Sequence, residues 1–228
     1  MKQKAVFITG TDTGIGKTFY SCKLLQALNA AGCSTLAMKP VAAGAVKEQD
    51  ILRNEDAIKL QQAASIKISY KEVNPYCFPL AVSPHIAAAD AGSIIELEYA
   101  YDQFLKLYGK ADVLLVEGVG GWQVPLNDTQ TVANLAARFQ IPVVMVVGIR
   151  LGCINHALLT ASSIQQLSVP FAGWVANILE PDMQALRENI LTLQQIISAP
   201  LLDVIQYQAD NSSQNIDSVK TRWLLNQL

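Results

Sequence analysis

Short, almost wholly apolar runs rich in Val, Ile and Leu alternate along the chain with longer stretches of helical periodicity. Ala5–Thr9, Thr35–Met38, Val113–Val116, Val143–Val147 and Ala172–Ala176 read as strands covered on both faces, and Leu201–Ile205 as a weaker sixth. Lys17–Ala31, Thr129–Phe139, Ile154–Leu167 and Met183–Ile197 read as helices between them. Gly32 supplies a helix-ending glycine for the first, and Asp182 an N-cap for the last. This alternation predicts a mostly parallel sheet flanked by helices on both faces. Residues 41–110 interrupt the rhythm. They hold a charged stretch (Lys47–Lys59), a loop with three prolines (Asn74–Pro84) and a further helical pattern (Ile94–Tyr108). An insertion of this length on an α/β frame usually carries function. The tail, Asp210–Leu228, opens polar and ends as a short helix containing Trp223.

Composition narrows the class. The 228 residues are 51% hydrophobic and 16% charged, which excludes a disordered chain and suits one α/β domain over 1–228. Seventeen basic and nineteen acidic residues leave no global positive field, so no nucleic-acid partner is expected. The mean hydropathy of +0.25 prompts a membrane check. The longest stretch without Asp, Glu, Lys or Arg, Leu151–Leu179, is broken by Asn155, His156, Gln165, Gln166, Pro170 and Gly173, so it reads as core rather than a span. The opening MKQKAVFITG reads as a first strand and not a leader, which makes the expected location cytoplasmic. Cys22, Cys33, Cys77 and Cys153 form no C-x-x-C pair and read as reduced core thiols. Cys153 and His156 are spaced like metal ligands, but no second pair completes a zinc set.

The strongest chemical signal is Gly10-Thr-Asp-Thr-Gly14-Ile-Gly16-Lys17-Thr18, placed between an apolar strand and a helix. Five residues separate Gly10 from Gly16, one more than in the usual phosphate loop, and Thr11 takes the place of the first glycine. The physical parts are nevertheless present. Gly14 and Gly16 admit a phosphate close to the backbone, and the loop amides and helix start attract it. Lys17 can span the β- and γ-phosphates, and the Thr18 hydroxyl can ligate Mg²⁺. Glu117 ends the strand Val113–Val116, where a metal-binding carboxylate belongs, and Gly118, Gly120 and Gly121 let that loop approach a ligand. Lys39 ends the second strand and offers a second cation; at ~4 Å and an effective dielectric of about 20, each charge contact is worth ~4 kcal/mol before desolvation. A plain surface lysine is the alternative reading. Asp56, read from the residues alone, is one acid among Asp50, Glu55 and Asp56 on a solvated helix face.

Taken together, these words resemble the dethiobiotin synthetase family. The matching segments are Thr9–Thr18, Lys39–Ala42, Asn54–Ala57, Asn74–Tyr76, Ser83–His85, Val116–Trp122, Leu151–Ala157 and Gly173–Asn177, in the family's order. The resemblance implies a P-loop-type α/β domain, usually a homodimer, that joins 7,8-diaminononanoate and CO₂ with ATP to give dethiobiotin, ADP and phosphate. It implies Mg²⁺ on Thr18, Asp56 and Glu117, and Lys39 and Lys17 as catalytic cations. Nucleotide contacts then fall on Gly14, Ile15, Gly16, Lys17, Thr18, Phe19, Asp56, Glu117, Gly118, Val119, Gly120 and Asn177, the last at the adenine. Substrate contacts fall on Thr11, Ala43, Gly152 and Asn155, the last two reaching a carboxylate across a dimer interface. Ala43 stands where the family commonly has a hydroxyl residue, Arg150 where a lysine is common, and Gln206–Gln208 diverges. Two rivals share the loop. A partition-type switch ATPase would carry a signature lysine where this chain has Asp12. A cobyrinate-type amidotransferase synthetase would need a glutaminase domain for which the chain is too short.

Overall fold

The computed structural model describes residues 4–207. The expected tail helix with Trp223, and Gln208, lie outside those residues. The chain opens with β1 (Lys4–Gly10), α1 (Lys17–Ala30) and β2 (Thr35–Met38). The insertion then supplies β3 (Val41–Ala43), β4 (Val46–Glu48), β5 (Ile51–Arg53), α2 (Glu55–Ala63), α3 (Tyr70–Val73), β6 (Tyr76–Phe78), α4 (Pro84–Asp90) and α5 (Leu97–Leu107). The frame resumes with β7 (Val113–Glu117), α6 (Val132–Phe139), β8 (Val143–Ile149), α7 (Cys153–Gln165), β9 (Phe171–Ile178), α8 (Leu186–Ile196) and β10 (Leu201–Ile205).

Six strands form one parallel sheet in the order β10-β9-β8-β1-β7-β2. Alternate residues serve opposite faces, as a pleat requires. Val6, Ile8, Leu115, Val144 and Val146 pack with Leu24, Leu25 and Leu28 of α1 and Leu60 of α2. Phe7, Leu114, Val116, Met145 and Val147 pack on the other face with Phe104, Phe139, Ala157, Ile164 and Leu193 of α5 to α8. The chain builds outward from β1 to β2 on one side and later adds β8, β9 and β10 on the other. β1 therefore stands where the winding reverses, and its carboxyl end opens on the crevice where such folds hold ligands.

Helix ends show where local chemistry was readable. At the end of α1, Gly32 (φ 85°) lets its own N–H reach the Asn29 carbonyl and that of Cys33 reach Leu28, a complete Schellman ending. Thr131 and Asn134 cap α6 reciprocally, so that helix starts at Val132, after the expected Thr129. The Asp182 expectation fails: the segment after Pro181 forms turns, and α8 starts only at Leu186, after Ala185 at φ 53°. The insertion holds more structure than its polar composition suggests. It adds a parallel pair, β3–β6, and a hairpin, β4–β5, whose turn residues Gln49 and Asp50 both have positive φ. Cysteines 22, 33, 77 and 153 are all unpaired, and only Cys153 is fully buried. No described helix is long and apolar enough to cross a membrane.

Candidate functional site

The loop between β1 and α1 wraps the helix start. Gly14 (φ 71°) and Gly16 (φ 87°) hold left-handed backbone, and Thr11 N–H is tied to the Val146 carbonyl of β8 at 3.1 Å. A Cβ on Gly16 would strike the Asn177 side chain, whose Nδ2 donates to the Ile15 carbonyl at 2.8 Å. Gly16→Ala therefore combines a left-handed penalty with a clash, and the unfolding free energy should fall by about 2–3 kcal/mol. Urea unfolding checks this, and a wild-type midpoint would show that the loop relaxes freely.

Four side chains meet at the carboxyl ends of β2 and β7. Lys39 Nζ lies 2.7 Å from Glu117 Oε1 and 3.1 Å from Asp56 Oδ2. Thr18 Oγ1 donates to the same Glu117 oxygen at 2.8 Å. Glu117 is fully buried and Lys39 only 3% exposed, so Lys39 is not the plain surface lysine that was the alternative reading. Burial alone pulls the Lys39 pKa down, but the charges of Glu117 and Asp56 outweigh it and hold the pKa above its ordinary value. Asp56 is the mirror case. Burial favours its neutral acid, yet the charge of Lys39 and hydrogen bonds from Lys39 and Thr18 leave its pKa lowered. The solvated face expected from the residues alone therefore gives way to an ion pair. Lys17 differs. Burial first, and the charge of Lys39 next, bring its pKa down to about 8. Its Nζ donates to the Asp12 carbonyl at 2.8 Å.

Lys17, Thr18, Lys39 and Asp56 line a cavity of about 610 Å³, whereas the fully buried Glu117 is not part of its wall. Gly14, Gly16, Lys17, Thr18, Lys39, Ala43, Asp56, Val119 and Gly120 all contribute to its wall. Ala81, Val82 and Val124 add an apolar side that no motif announced, next to Pro84 of the Ser83–His85 match. A smaller cavity of about 190 Å³ is lined by Phe19, Asn177, Leu179, Ile205 and Tyr207. The remaining expected residues sit elsewhere. Thr11 is half-buried and Ile15 buried, and neither lines either of these two cavities. A Cβ on Gly118 would press on Phe7 and Val132, so that glycine serves close packing. Gly152 and Asn155 are exposed at the start of α7, away from both cavities.

Sequence reasoning missed the hydrogen-bonded frame behind Lys39 and Asp56. Asn54 caps α2 through its side chain, and its backbone N–H donates to the Tyr70 hydroxyl at 2.7 Å. That hydroxyl donates to Asn74 Oδ1 at 3.0 Å, and Asn74 Nδ2 donates to the Lys39 carbonyl at 2.7 Å. An Asn directly before two acids is a readable cap signal. The partnership of Tyr70 and Asn74 has no local signature.

The donor set suits a hard divalent cation. Thr18, Asp56 and Glu117 offer oxygen only, and Glu117 Oε2 is buried with no hydrogen-bond partner among the described residues. No group of three or more His, Cys, Asp or Glu among the described residues could hold a metal by itself. A cation here would therefore share its shell with the ligand's own oxygens and water.

Comparison with known proteins bears on the whole chain. Residues 4–215 match a family model described as an AAA domain. A dethiobiotin synthetase, described as ATP-dependent, from Cellvibrio japonicus (strain Ueda107) is 47% identical over 95% of this chain and 97% of its own. One from Escherichia coli (strain K12) is 48% identical over 91% of this chain and 92% of its own. Among solved structures, a ParA family ATPase from Chlorobium tepidum is similar at TM-score 0.59 and 12% identity, over 98% of each chain. The septum site-determining protein MinD from Pyrococcus horikoshii, complexed with Mg-ADP, is similar at TM-score 0.55 and 15% identity, over 100% of this chain and 96% of its own. These structural likenesses speak to the fold alone.

Proposed function

The chain belongs to the ATP-dependent dethiobiotin synthetase family, and from that premise we propose how its residues close a ureido ring. The reaction joins 7,8-diaminononanoate and CO₂ with ATP to give dethiobiotin, ADP and phosphate, as a carbon–nitrogen ligase. One amine adds to CO₂ as a carbamate, whose oxygen is a poor leaving group. Transfer of the γ-phosphoryl group to that oxygen gives a mixed anhydride. The neighbouring amine attacks its carbonyl, the C–O bond breaks, and phosphate departs as the five-membered ring closes. No protein nucleophile is required, so the chain's work is alignment and charge neutralisation.

The observation that carries this reading is the Lys39–Glu117–Asp56–Thr18 cluster beside Lys17, with Lys17, Thr18, Lys39 and Asp56 lining one cavity. Lys17 leaves the Asp12 carbonyl for the phosphates, while Lys39, anchored by two carboxylates, stays at the transferring group. Thr18, Asp56 and Glu117 would hold Mg²⁺, which neutralises charge on the phosphates. Phe19 and Asn177 line the smaller cavity and would receive the adenine. The substrate's carbon chain fits the apolar wall of Ala81, Val82 and Val124, beside Ala43, with Thr11 at the loop. The exposed α7 start, Gly152 to Asn155, would take the substrate carboxylate of a partner subunit in a homodimer. Leu151 and Leu159, 87% and 64% exposed, lie on the same segment and suit that burial. Residues 1–228 thus act as one unit, with the 41–110 insertion supplying Asp56 and the far wall.

Incubation with Mg-ATP, 7,8-diaminononanoate and labelled bicarbonate should place label in an acid-stable cyclic urea, with one phosphate released per ring. ATP hydrolysis that ignores the diamine and responds to a protein or DNA partner would instead support a switch ATPase. Glu117→Gln keeps the Thr18 contact but removes a charge. It should raise the Mg²⁺ concentration for half-maximal activity by about tenfold or more. An unchanged magnesium titration would remove Glu117 from the metal.

A further inference from the structure

We infer that Arg150 and Asp12 are a positioning pair that locks the phosphate loop for nucleotide. Neither residue touches a reacting group in the reading above, and neither lines either of the two cavities described. Yet Asp12 makes three contacts at the loop's tip. Its Oδ2 receives Arg150 at 2.5 Å, its Oδ1 receives the Thr13 backbone N–H at 2.7 Å, and its carbonyl receives Lys17 Nζ at 2.8 Å. The carboxylate thus fixes the turn that presents the carbonyl, and the carbonyl holds the ammonium destined for phosphate. Among the described residues Arg150 makes the only ion pair to Asp12.

Arg150 is anchored independently of the loop. It follows directly on β8, and its carbonyl accepts the Cys153 N–H at 3.0 Å, which opens α7. The pair therefore ties the phosphate loop to the strand beside it and to the turn that exposes Gly152 and Asn155. It also has an electrostatic job. Without Arg150, the Asp12 carboxylate would stand uncompensated beside an incoming triphosphate. The side chains are 39% and 42% exposed, so the pair should add little to global stability. Its effect belongs in ligand binding, where loop geometry and local charge both count.

This inference rests only on the nucleotide part of the functional reading, and its test uses binding rather than turnover. Calorimetric titration of a non-hydrolysable ATP analogue with Mg²⁺ should show Arg150→Ala binding about five- to tenfold more weakly. Arg150→Lys should stay within about twofold of wild type, because one charged donor can still reach one carboxylate oxygen. Arg150→Ala combined with Asp12→Asn should bind no more weakly than Arg150→Ala alone, with melting temperatures near wild type throughout. Wild-type affinity in Arg150→Ala overturns the inference while leaving the nucleotide reading intact. So does a double variant weakened by the product of two single losses, which would mean the residues act separately. Failure of the wild-type protein to bind the analogue would overturn both.

Discussion

Replacing Lys39 by Ala is expected to lower kcat by about a thousandfold and the unfolding midpoint by about 10 °C together. Both effects follow from one geometry. Lys39 Nζ neutralises Glu117, which has no exposed surface, and Asp56, at 2.7 and 3.1 Å. Deleting it leaves a buried carboxylate without a cation, which typically costs about 3–5 kcal/mol. The catalytic loss has a separate cause, the missing positive charge where the phosphoryl group moves. The two are separable by a second variant. Lys39→Met with Glu117→Gln removes both members of the closest pair, so stability should return while turnover does not. Thermal unfolding and steady-state kinetics on the same samples decide it. A stable, active Lys39→Ala would show that the buried pair is neither a structural nor a catalytic element.

Lys17→Ala should behave in the opposite way towards stability. We expect kcat/KM for ATP to fall by about a hundredfold to ten-thousandfold, with no loss of folding stability near pH 7. Burial and then Lys39 depress its pKa from 10.5 to about 8. The folded state therefore holds the Lys17 proton less tightly than the unfolded chain does. Below pH 8 both states are protonated and the penalty is fully present. Between pH 8 and 10.5 the folded protein releases the proton and the unfolded chain keeps it, so stability rises with pH. Wild type should gain about 2 kcal/mol from pH 7 to 9.5 relative to Lys17→Ala. Lys39, whose pKa is raised, cannot mask this, because its contribution is lost only as pH climbs from the ordinary 10.5 through its higher folded pKa, above the range tested. Urea unfolding of both proteins at pH 7, 8 and 9.5 measures the difference. Parallel curves would mean that Lys17 is not desolvated.

The contrast between the two lysines shows what the residue order could and could not tell. The parallel sheet was legible because buried parallel strands must be apolar on both faces, and runs such as Val143–Val147 and Val113–Val116 leave few alternatives. Lys17 and Thr18 were legible because a phosphate loop is local, its parts lying within one turn of a helix start. Lys39 was legible as a strand end but not as a buried one. Its burial depends on Glu117, 78 positions away in sequence, and on Asp56 from the insertion. Asp56 was invisible among its acidic neighbours for the same reason. The pleat of β2 and β7 and the Asn54 cap bring it to Lys39, and no local pattern encodes that meeting. The small strands β3 to β6 escaped because three-residue pairs carry too few positions to show a period. Asp182 misled for a related reason. An acid after proline marks a helix start only if the next residues continue it, and here Ala185 turns left-handed first. Arg150 looked like a minor exchange for lysine until its partner across the loop came into view.

The most direct test of the whole account follows the oxygen atoms. The protein is mixed with 7,8-diaminononanoate, Mg-ATP and CO₂ labelled with heavy oxygen, and quenched before the label exchanges with water. If the carbamate oxygen accepts the γ-phosphoryl group, one labelled oxygen leaves in the released phosphate and the other remains in the carbonyl of the cyclic urea. Phosphate free of label, with ring formation intact, would show that water rather than carbamate takes the phosphoryl group, and would contradict the assignment of Lys17 and Lys39 to that transfer.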